Sequence, residues 1–256
     1  MMKSTTTYQL SNDAVLTANF NKIQSFLDGT RRRSQFSVLF GASGLGKSFA
    51  ARCWTEKHPN AVYVRAPSKS TAKVIGCMIS EAIFNSPGMR QSQIVDYFMN
   101  HPGAVLIIDE AVHLLGNYNY NSITSLDFIR DLYDEVTEAG GHLGTALIFT
   151  KYNLQRLREC PIASFLAQFV NRMDNHLDLG TKLSYKKEII PHVQALLPGC
   201  DDAICDFFKY FPDIRSIRKR IMVAKDISEN AAEHPPITCE MLAYIEKQFR
   251  TGEYDV

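Results

Sequence analysis

The strongest constraint on this chain is a glycine-rich segment that lies between an apolar run and a helical pattern. Residues 37–48 read Ser-Val-Leu-Phe-Gly-Ala-Ser-Gly-Leu-Gly-Lys-Ser, so a run of strand length leads into the pattern G-x-x-x-x-G-K-S. The glycines of this pattern let backbone N–H groups turn inward around a phosphate, and the following helix directs its positive N-terminus there. The predicted phosphate-binding loop and its flank consist of Gly41, Ala42, Ser43, Gly44, Leu45, Gly46, Lys47, Ser48 and Phe49.

Two side chains of this loop have the chemistry to bind a nucleotide with its metal ion. Lys47 would reach the β and γ phosphates, and the hydroxyl of Ser48 would ligate Mg²⁺. The alternative is an ordinary glycine-rich turn between a strand and a helix. The complete spacing, the Lys-Ser ending and the upstream strand favour the nucleotide, so we expect ATP and Mg²⁺ as cofactors.

A second pattern, Ala-Val-Leu-Ile-Ile-Asp-Glu at Ala104–Glu110, is typical of the Walker B strand of a P-loop ATPase. A strand this apolar is buried on both faces, as in a parallel sheet that helices cover. Its terminal carboxylates therefore lie along the same edge as the phosphate loop, where ligands of open α/β sheets bind. We expect Asp109 to hold Mg²⁺, directly or through water, and Glu110 to polarise the attacking water as general base.

Composition narrows the class of protein. The net charge is +1, so any binding of polyanions must come from local patches rather than from an overall field. The six cysteines form no C-x-x-C pair, which indicates reduced thiols of a cytosolic protein rather than a disulfide or zinc framework. Neither a signal-peptide pattern nor an apolar run of membrane-spanning length is visible, and we expect a soluble cytoplasmic protein without membrane contact.

Strand and helix patterns alternate up to about residue 182, and only helical patterns follow. We predict an N-terminal helical segment at 1–34, an α/β core with a parallel five-stranded sheet at 35–182, and a small helical lid at 183–256. The first helix is expected to begin at a cap in Ser11–Asp13 and to end at Asp28–Gly29. The triplet Arg31–Arg33 is either a solvated turn or a contact to the phosphates of nucleotide or DNA.

Three stretches resemble the DNA-transposition ATPases MuB and TnsC, a branch of the AAA+ class related to IstB and DnaC. They are Gly41–Ser48, the segment His58-Pro59-x-x-Val62-Tyr63-Val64, and Leu106–Ala111. The resemblance covers roughly residues 20–230. It implies the AAA+ form of the P-loop NTPase fold, with a helical lid after the core.

The resemblance also implies further residues of the nucleotide site. Thr150 corresponds to the sensor-1 residue that orients the attacking water, with Asn153 as a nearby substitute. Arg172 corresponds to an arginine finger that a neighbouring subunit supplies to the γ-phosphate. Arg218 corresponds to sensor 2 at the start of a lid helix. For each arginine the alternative is a solvated surface charge.

The function that the resemblance implies is regulation of DNA transposition. Such a protein would assemble on duplex DNA as a homo-oligomeric ring or helical filament and deliver target DNA to a transposase, and ATP hydrolysis would drive disassembly. Lys69 falls where TnsC-like proteins place a basic residue against the DNA backbone, and Lys73 and Arg90 are its neighbours by topology. A solvated surface is again the alternative for all three cations.

Two other functions stay open from the sequence. A helicase loader of the DnaC and IstB kind would engage a helicase and single strands, and Tyr118 or Tyr120 would stack on bases. A signalling or defence ATPase would have no nucleic-acid role, and the basic residues would then be ordinary surface. Binding to duplex and single-stranded DNA, with and without ATP, distinguishes the three.

Overall fold

The computed structural model describes residues 15–68, 70–115, 124–150, 154–159 and 163–252. The strands are β1 (Phe36–Phe40), β2 (Ala61–Arg65), β3 (Ala104–Asp109), β4 (Leu143–Phe149) and β5 (Asn175–Asp178). The helices are α1 (Ala18–Arg33), α2 (Lys47–Glu56), α3 (Ala72–Phe84), α4 (Gln91–Asn100), α5 (Thr124–Glu138), α6 (Leu154–Glu159), α7 (Ala163–Arg172), α8 (Ile190–Leu196), α9 (Asp202–Phe207), α10 (Ile214–Asn230) and α11 (Cys239–Thr251). Several predictions concern residues outside the described ranges: the cap at Ser11–Asp13, Lys69, Tyr118, Tyr120 and Asn153.

The five strands form one sheet in the order β2-β3-β4-β1-β5, and every neighbouring pair is parallel. The predicted parallel five-stranded sheet is therefore confirmed. Strands β1, β3 and β4 are buried along their whole length, because each lies between two other strands and helices cover the sheet. All five carboxyl ends consequently meet at one edge of the sheet.

The first helix differs from the prediction at both ends. It begins at Ala18, after the non-helical residues 15–17, and so does not start directly after a cap in Ser11–Asp13. Instead of stopping at Asp28–Gly29, α1 continues to Arg33. Asp28 does not act as a break, because its carboxylate accepts a 2.9 Å hydrogen bond from the indole Nε1 of Trp54. A single glycine inside a helix costs only about 1 kcal/mol. Arg31–Arg33 thus form the last turn of α1, where cations interact favourably with the helix dipole.

The helices that cover the sheet present an apolar stripe to it. In α5 the buried residues Leu126, Ile129, Leu132 and Val136 recur at helical spacing. The ring of Phe36, the first residue of β1, meets that of Tyr133 in α5 edge to face at 5.3 Å. It meets the ring of Phe169 in α7 at 5.6 Å in the same way. The helices α5 and α7 are therefore both anchored at the start of the central strand.

The chain divides into two compact units. The first contains the sheet and comprises residues 21–43 and 47–180, and the second comprises residues 15–20, 44–46 and 181–252, as far as these are described. Among its described residues the second unit consists of helices and loops without a strand, and it has its own core around Val193, Phe208, Ile221 and Ile245. The described helices lack the combination of length and apolar character that crossing a membrane requires.

Candidate active site

The phosphate-loop segment follows β1 and leads into α2, which begins at Lys47. Gly44 and Gly46 adopt φ values of 79° and 83°, in the left-handed region that glycine enters without strain. A β carbon on Gly44 would also lie 2.1 Å from the β carbon of Asp213, another residue of the second unit. The loop conformation thus depends on glycine at these positions.

The side chain of Lys47 is almost completely buried, at 5% exposure. Its ammonium donates hydrogen bonds to the carbonyl oxygens of Gly41 at 2.7 Å and Ala42 at 2.6 Å. Burial lowers the pKa of Lys47 to about 8, although the negative charges of Asp109 and Glu110 act in the opposite direction. The ammonium is therefore held against the start of the loop, within electrostatic reach of both carboxylates.

The carboxylate of Asp109 is 2% exposed and accepts hydrogen bonds at both oxygens. Its Oδ1 accepts from the backbone N–H of Glu110 at 2.8 Å, and its Oδ2 accepts from the hydroxyl of Tyr63 at 2.5 Å. Burial, followed by the neighbouring Asp109, raises the pKa of Tyr63, so the phenol stays protonated and donates. The orientation of Asp109 is thus fixed by its own strand and by β2 beside it.

Glu110 follows β3 directly and has a φ of 54°. A non-glycine residue in this region is uncommon, and such conformations cluster at active sites. Its Oε2 accepts a 2.6 Å hydrogen bond from the hydroxyl of Thr150, which follows β4. Its Oε1 lies 3.6 Å from Nη2 of Arg65 at the end of β2. Two neighbouring strands therefore contribute the groups that hold this carboxylate.

The residues at this edge fit a nucleotide with Mg²⁺. Mg²⁺ prefers hard oxygen ligands and is usually bound through one or two carboxylates together with the phosphates of the substrate. Asp109 supplies such a carboxylate, and Ser48, half-buried in the first turn of α2, supplies a hydroxyl. The cluster of Lys47, Asp109, Glu110 and Thr150 thus combines a cation suited to phosphate, oxygen ligands suited to Mg²⁺, and a second carboxylate that a hydroxyl orients.

Arg172 is not part of this cluster within one subunit. It is the last residue of α7 and precedes β5, so it lies at the edge of the sheet where the strands begin, opposite the phosphate-loop edge. Its guanidinium forms hydrogen bonds to both carboxylate oxygens of Asp134.

Arg218 lies in the second turn of α10 in the second unit, and its side chain is exposed. Its charge acts on His192 in α8, which is 6% exposed. Burial first, and the charge of Arg218 second, lower the pKa of His192 to about 4, so this imidazole is neutral at pH 7. Among the described residues, Nε2 of His192 has no hydrogen-bond partner.

Two of the predicted DNA contacts, Lys73 and Arg90, lie in the described part of the chain. Lys73 and Arg90 are both exposed, at the starts of α3 and α4. A cavity of about 350 Å³ is lined by Lys73 on one side and by residues 87–89 and Gln91 on the other. Arg90 does not line this cavity, but both of its neighbours in the chain, Met89 and Gln91, do.

Four residues of interest were not assigned a role from the sequence: Tyr63, Arg65, Asp134 and His192. Tyr63 and Arg65 occupy alternate positions of β2, and alternate residues of a strand share one face. The pairing of Arg65 with Asp109 in the sheet brings that face to the carboxylates. The signal was therefore a pair of polar side chains two residues apart in an otherwise apolar strand.

Comparison with known proteins gives both a family and a fold. A family model described as an AAA domain matches residues 30–157, half of the 256-residue chain. No curated protein matches the sequence.

Several solved structures are similar. The ORC2 protein of Aeropyrum pernix, in ADPNP-ADP complexes, has a TM-score of 0.69 and 14% identity, over 94% of this chain and 71% of that chain. The RuvB Holliday junction branch migration motor of Thermotoga maritima has a TM-score of 0.56 and 15% identity, over 90% and 67%. A chain of the HORMA:CdnC:Trip13 complex of E. coli MS115-1 has a TM-score of 0.60 and 11% identity, over 94% and 92%. At these identities the similarity concerns the fold.

Proposed function

The chain belongs to the AAA domain family, and from this premise we propose that it is a magnesium-dependent ATPase that regulates DNA transposition. It would assemble on duplex DNA, deliver target DNA to a transposase, and leave the DNA when ATP is hydrolysed. The observation that supports hydrolysis most directly is the Glu110 carboxylate, which Thr150 holds beside Asp109 and within electrostatic reach of Lys47.

The roles of the residues follow from their chemistry. Lys47 would exchange its carbonyl partners for the β and γ phosphates, and Asp109 with Ser48 would hold Mg²⁺, which offsets phosphate charge. Thr150 donates to Oε2 of Glu110, so Oε1, which lies 3.6 Å from Nη2 of the exposed Arg65, is the oxygen that would take a proton from the attacking water. The preset position of the base means that little reorganisation is needed at the moment of reaction.

Assembly follows from the position of Arg172. Because it lies at the opposite edge of its own sheet, its guanidinium would act on the nucleotide of a neighbouring subunit. That arrangement requires a ring or a helical filament of identical chains. Arg218 of the lid would serve as the second sensor of the γ-phosphate.

A role on DNA is supported by the exposed cations Lys73 and Arg90 at the starts of α3 and α4, together with Lys69 three residues before α3 in the sequence. Phosphate contacts of this kind provide affinity without sequence preference. The similar fold of a Holliday junction branch migration motor supports a function on DNA. The resemblance of three stretches to MuB and TnsC supports transposition in particular.

A second candidate is an ATPase that acts on a protein partner instead of DNA, as in signalling or defence. The similarity to a chain of the HORMA:CdnC:Trip13 complex, which covers 92% of that chain, favours this alternative. A helicase loader that binds single strands is the third.

Filter binding of duplex and single-stranded DNA, with and without ATP, tests the proposal. We expect ATP-dependent binding to duplex DNA that the Lys47→Ala variant loses. Preference for single strands would instead indicate a helicase loader. Absence of binding to either form, by protein that binds ATP, would refute the role on DNA.

A further inference from the structure

The guanidinium of Arg172 is held by one carboxylate of the first unit, that of Asp134 in α5. Its Nε donates to Oδ1 at 3.0 Å and to Oδ2 at 3.2 Å, and its Nη2 donates to Oδ2 at 3.1 Å. This is the bidentate geometry in which an arginine pairs most specifically with a carboxylate.

Both helices that carry the pair have fixed positions. Next to Asp134 in α5, Tyr133 packs on the ring of Phe36 and donates a 2.9 Å hydrogen bond to the carbonyl oxygen of Ser34. In α7, Phe169 packs on the same Phe36 ring. The start of β1 thus provides both helices with contacts that are separate from the pair of Asp134 and Arg172.

Asp134 engages only one edge of the guanidinium. Arginine has five N–H donors in a rigid planar fork, and the bonds to Asp134 use the edge formed by Nε and Nη2. The edge that carries Nη1 therefore points away from the carboxylate. Half of the Arg172 side chain is exposed, and ion pairs this accessible contribute little to stability. The main physical consequence of the pair is the orientation of Arg172.

We propose that Asp134 is a positioning residue for Arg172. It fixes the guanidinium so that the Nη1 edge faces the γ-phosphate of the nucleotide on the neighbouring subunit. This inference rests on the proposed role of Arg172 in trans. In this role Asp134 acts only through Arg172 and does not contact the reacting atoms.

The first test compares Asp134→Ala and Asp134→Asn with Asp131→Ala. Asp131 is the matched control, because its carboxylate also pairs with an arginine, Arg130 at 2.7 Å, on the same helix. Asp134→Ala should lower kcat by roughly 10-fold to 100-fold, because misplacing a catalytic group by about 1 Å can cost on the order of 10²-fold. Asp134→Asn keeps an oxygen acceptor and should fall between Asp134→Ala and wild type. Nucleotide Kd should be unchanged in both, and Asp131→Ala should match wild type.

The second test mixes variants, and a merely structural role would not give its result. Asp134→Ala mixed with Lys47→Ala should recover activity, because one partner keeps the nucleotide site and the other keeps an oriented Arg172. Asp134→Ala mixed with Arg172→Ala should recover none, because both lack the same oriented guanidinium. The Asp134→Ala/Arg172→Ala double variant should be as slow as Arg172→Ala alone.

A wild-type kcat in both Asp134 variants would overturn the inference, as would recovery in the mixture with Arg172→Ala. A kcat above wild type would show that Asp134 keeps Arg172 away from the neighbouring nucleotide instead of orienting it toward that nucleotide. This result would also overturn the inference. A wild-type rate in Arg172→Ala alone is a different failure. It would remove the trans-acting role of Arg172 under the proposed function and, with it, the role of Asp134.

Discussion

The hydroxyl of Tyr63 in β2 donates a 2.5 Å hydrogen bond to Oδ2 of Asp109 at the end of β3. The carboxylate that is proposed to hold Mg²⁺ is therefore oriented by a side chain from the neighbouring strand. The two strands are paired in parallel, with Arg65 opposite Asp109, so the edge strand β2 contributes directly to the geometry of the site.

Replacement of Tyr63 by phenylalanine removes this donor and keeps the ring. Because Asp109 is buried, loss of a hydrogen-bond partner should lower the free energy of unfolding by about 1–3 kcal/mol. The Mg²⁺ concentration that gives half-maximal binding of ATP should rise, since the carboxylate is no longer fixed. Urea unfolding and Mg²⁺ titrations of fluorescent ATP binding measure the two effects. Tyr97→Phe in α4 is the control, and equal Mg²⁺ requirements in all three proteins would contradict the prediction.

The hydrogen bond from Thr150 to Glu110 predicts that ATP hydrolysis requires a hydroxyl group at position 150. Thr150→Ala should lower kcat on the order of 10-fold to 100-fold, because small displacements of a catalytic group have effects of that size. Thr150→Ser keeps the hydroxyl and should retain most of the activity. ATP affinity should be unchanged in both. If Thr150→Ser were as slow as Thr150→Ala, the methyl group and not the hydrogen bond would be responsible.

His192 predicts a stability loss in acid. Its pKa of about 4 lies below the ordinary value of 6.5, so between these values the unfolded chain binds a proton that the folded chain does not. The free energy of unfolding is therefore highest above pH 6.5, where the imidazole is neutral in both states. As the pH falls toward 4, this free energy decreases by about 3 kcal/mol.

Urea unfolding of wild type and His192→Asn at several pH values measures this contribution. The difference between their unfolding free energies should change across the window from pH 6.5 to 4. His234→Asn, an exposed histidine of the same unit, is the control and should follow the wild-type curve. Parallel curves for wild type and His192→Asn would show that His192 does not cause the dependence.

The proposed DNA face predicts a change in salt dependence. Each phosphate contact contributes about −0.9 to the slope of log K against log salt concentration. Lys73→Ala together with Arg90→Ala should flatten the slope and weaken binding equally for unrelated duplexes, while ATP binding by the subunit survives. Lys57→Ala, an exposed cation at the end of α2, is the control. An unchanged slope in the double variant would place the DNA contact elsewhere, with Arg31–Arg33 as the next candidates.

Local patterns in the sequence were sufficient for the strands and for the cluster at their carboxyl ends. The apolar run before Asp109 indicated a strand buried on both faces, and β3 is buried along its whole length. In a parallel sheet this fixes which edge carries the phosphate loop and the carboxylates.

Contacts between segments that are distant in the sequence could not be predicted from such local patterns. The Tyr63–Asp109 bond depends on the register of two strands, and the Asp134–Arg172 pair depends on how two helices pack over Phe36. The end of α1 was predicted wrongly because Asp28 is engaged by Trp54, 26 residues away, and so does not stop the helix.

The central claim is that Glu110 is the general base for ATP hydrolysis at this site. Its most direct test is a single-turnover measurement of phosphate release from ATP by wild type, Glu110→Gln and the surface control Glu56→Gln, with nucleotide affinity measured in parallel. Because a positioned base contributes about 10²-fold to 10⁴-fold, Glu110→Gln should bind ATP with wild-type affinity and hydrolyse it slower by that factor. Wild-type turnover by Glu110→Gln would contradict the claim.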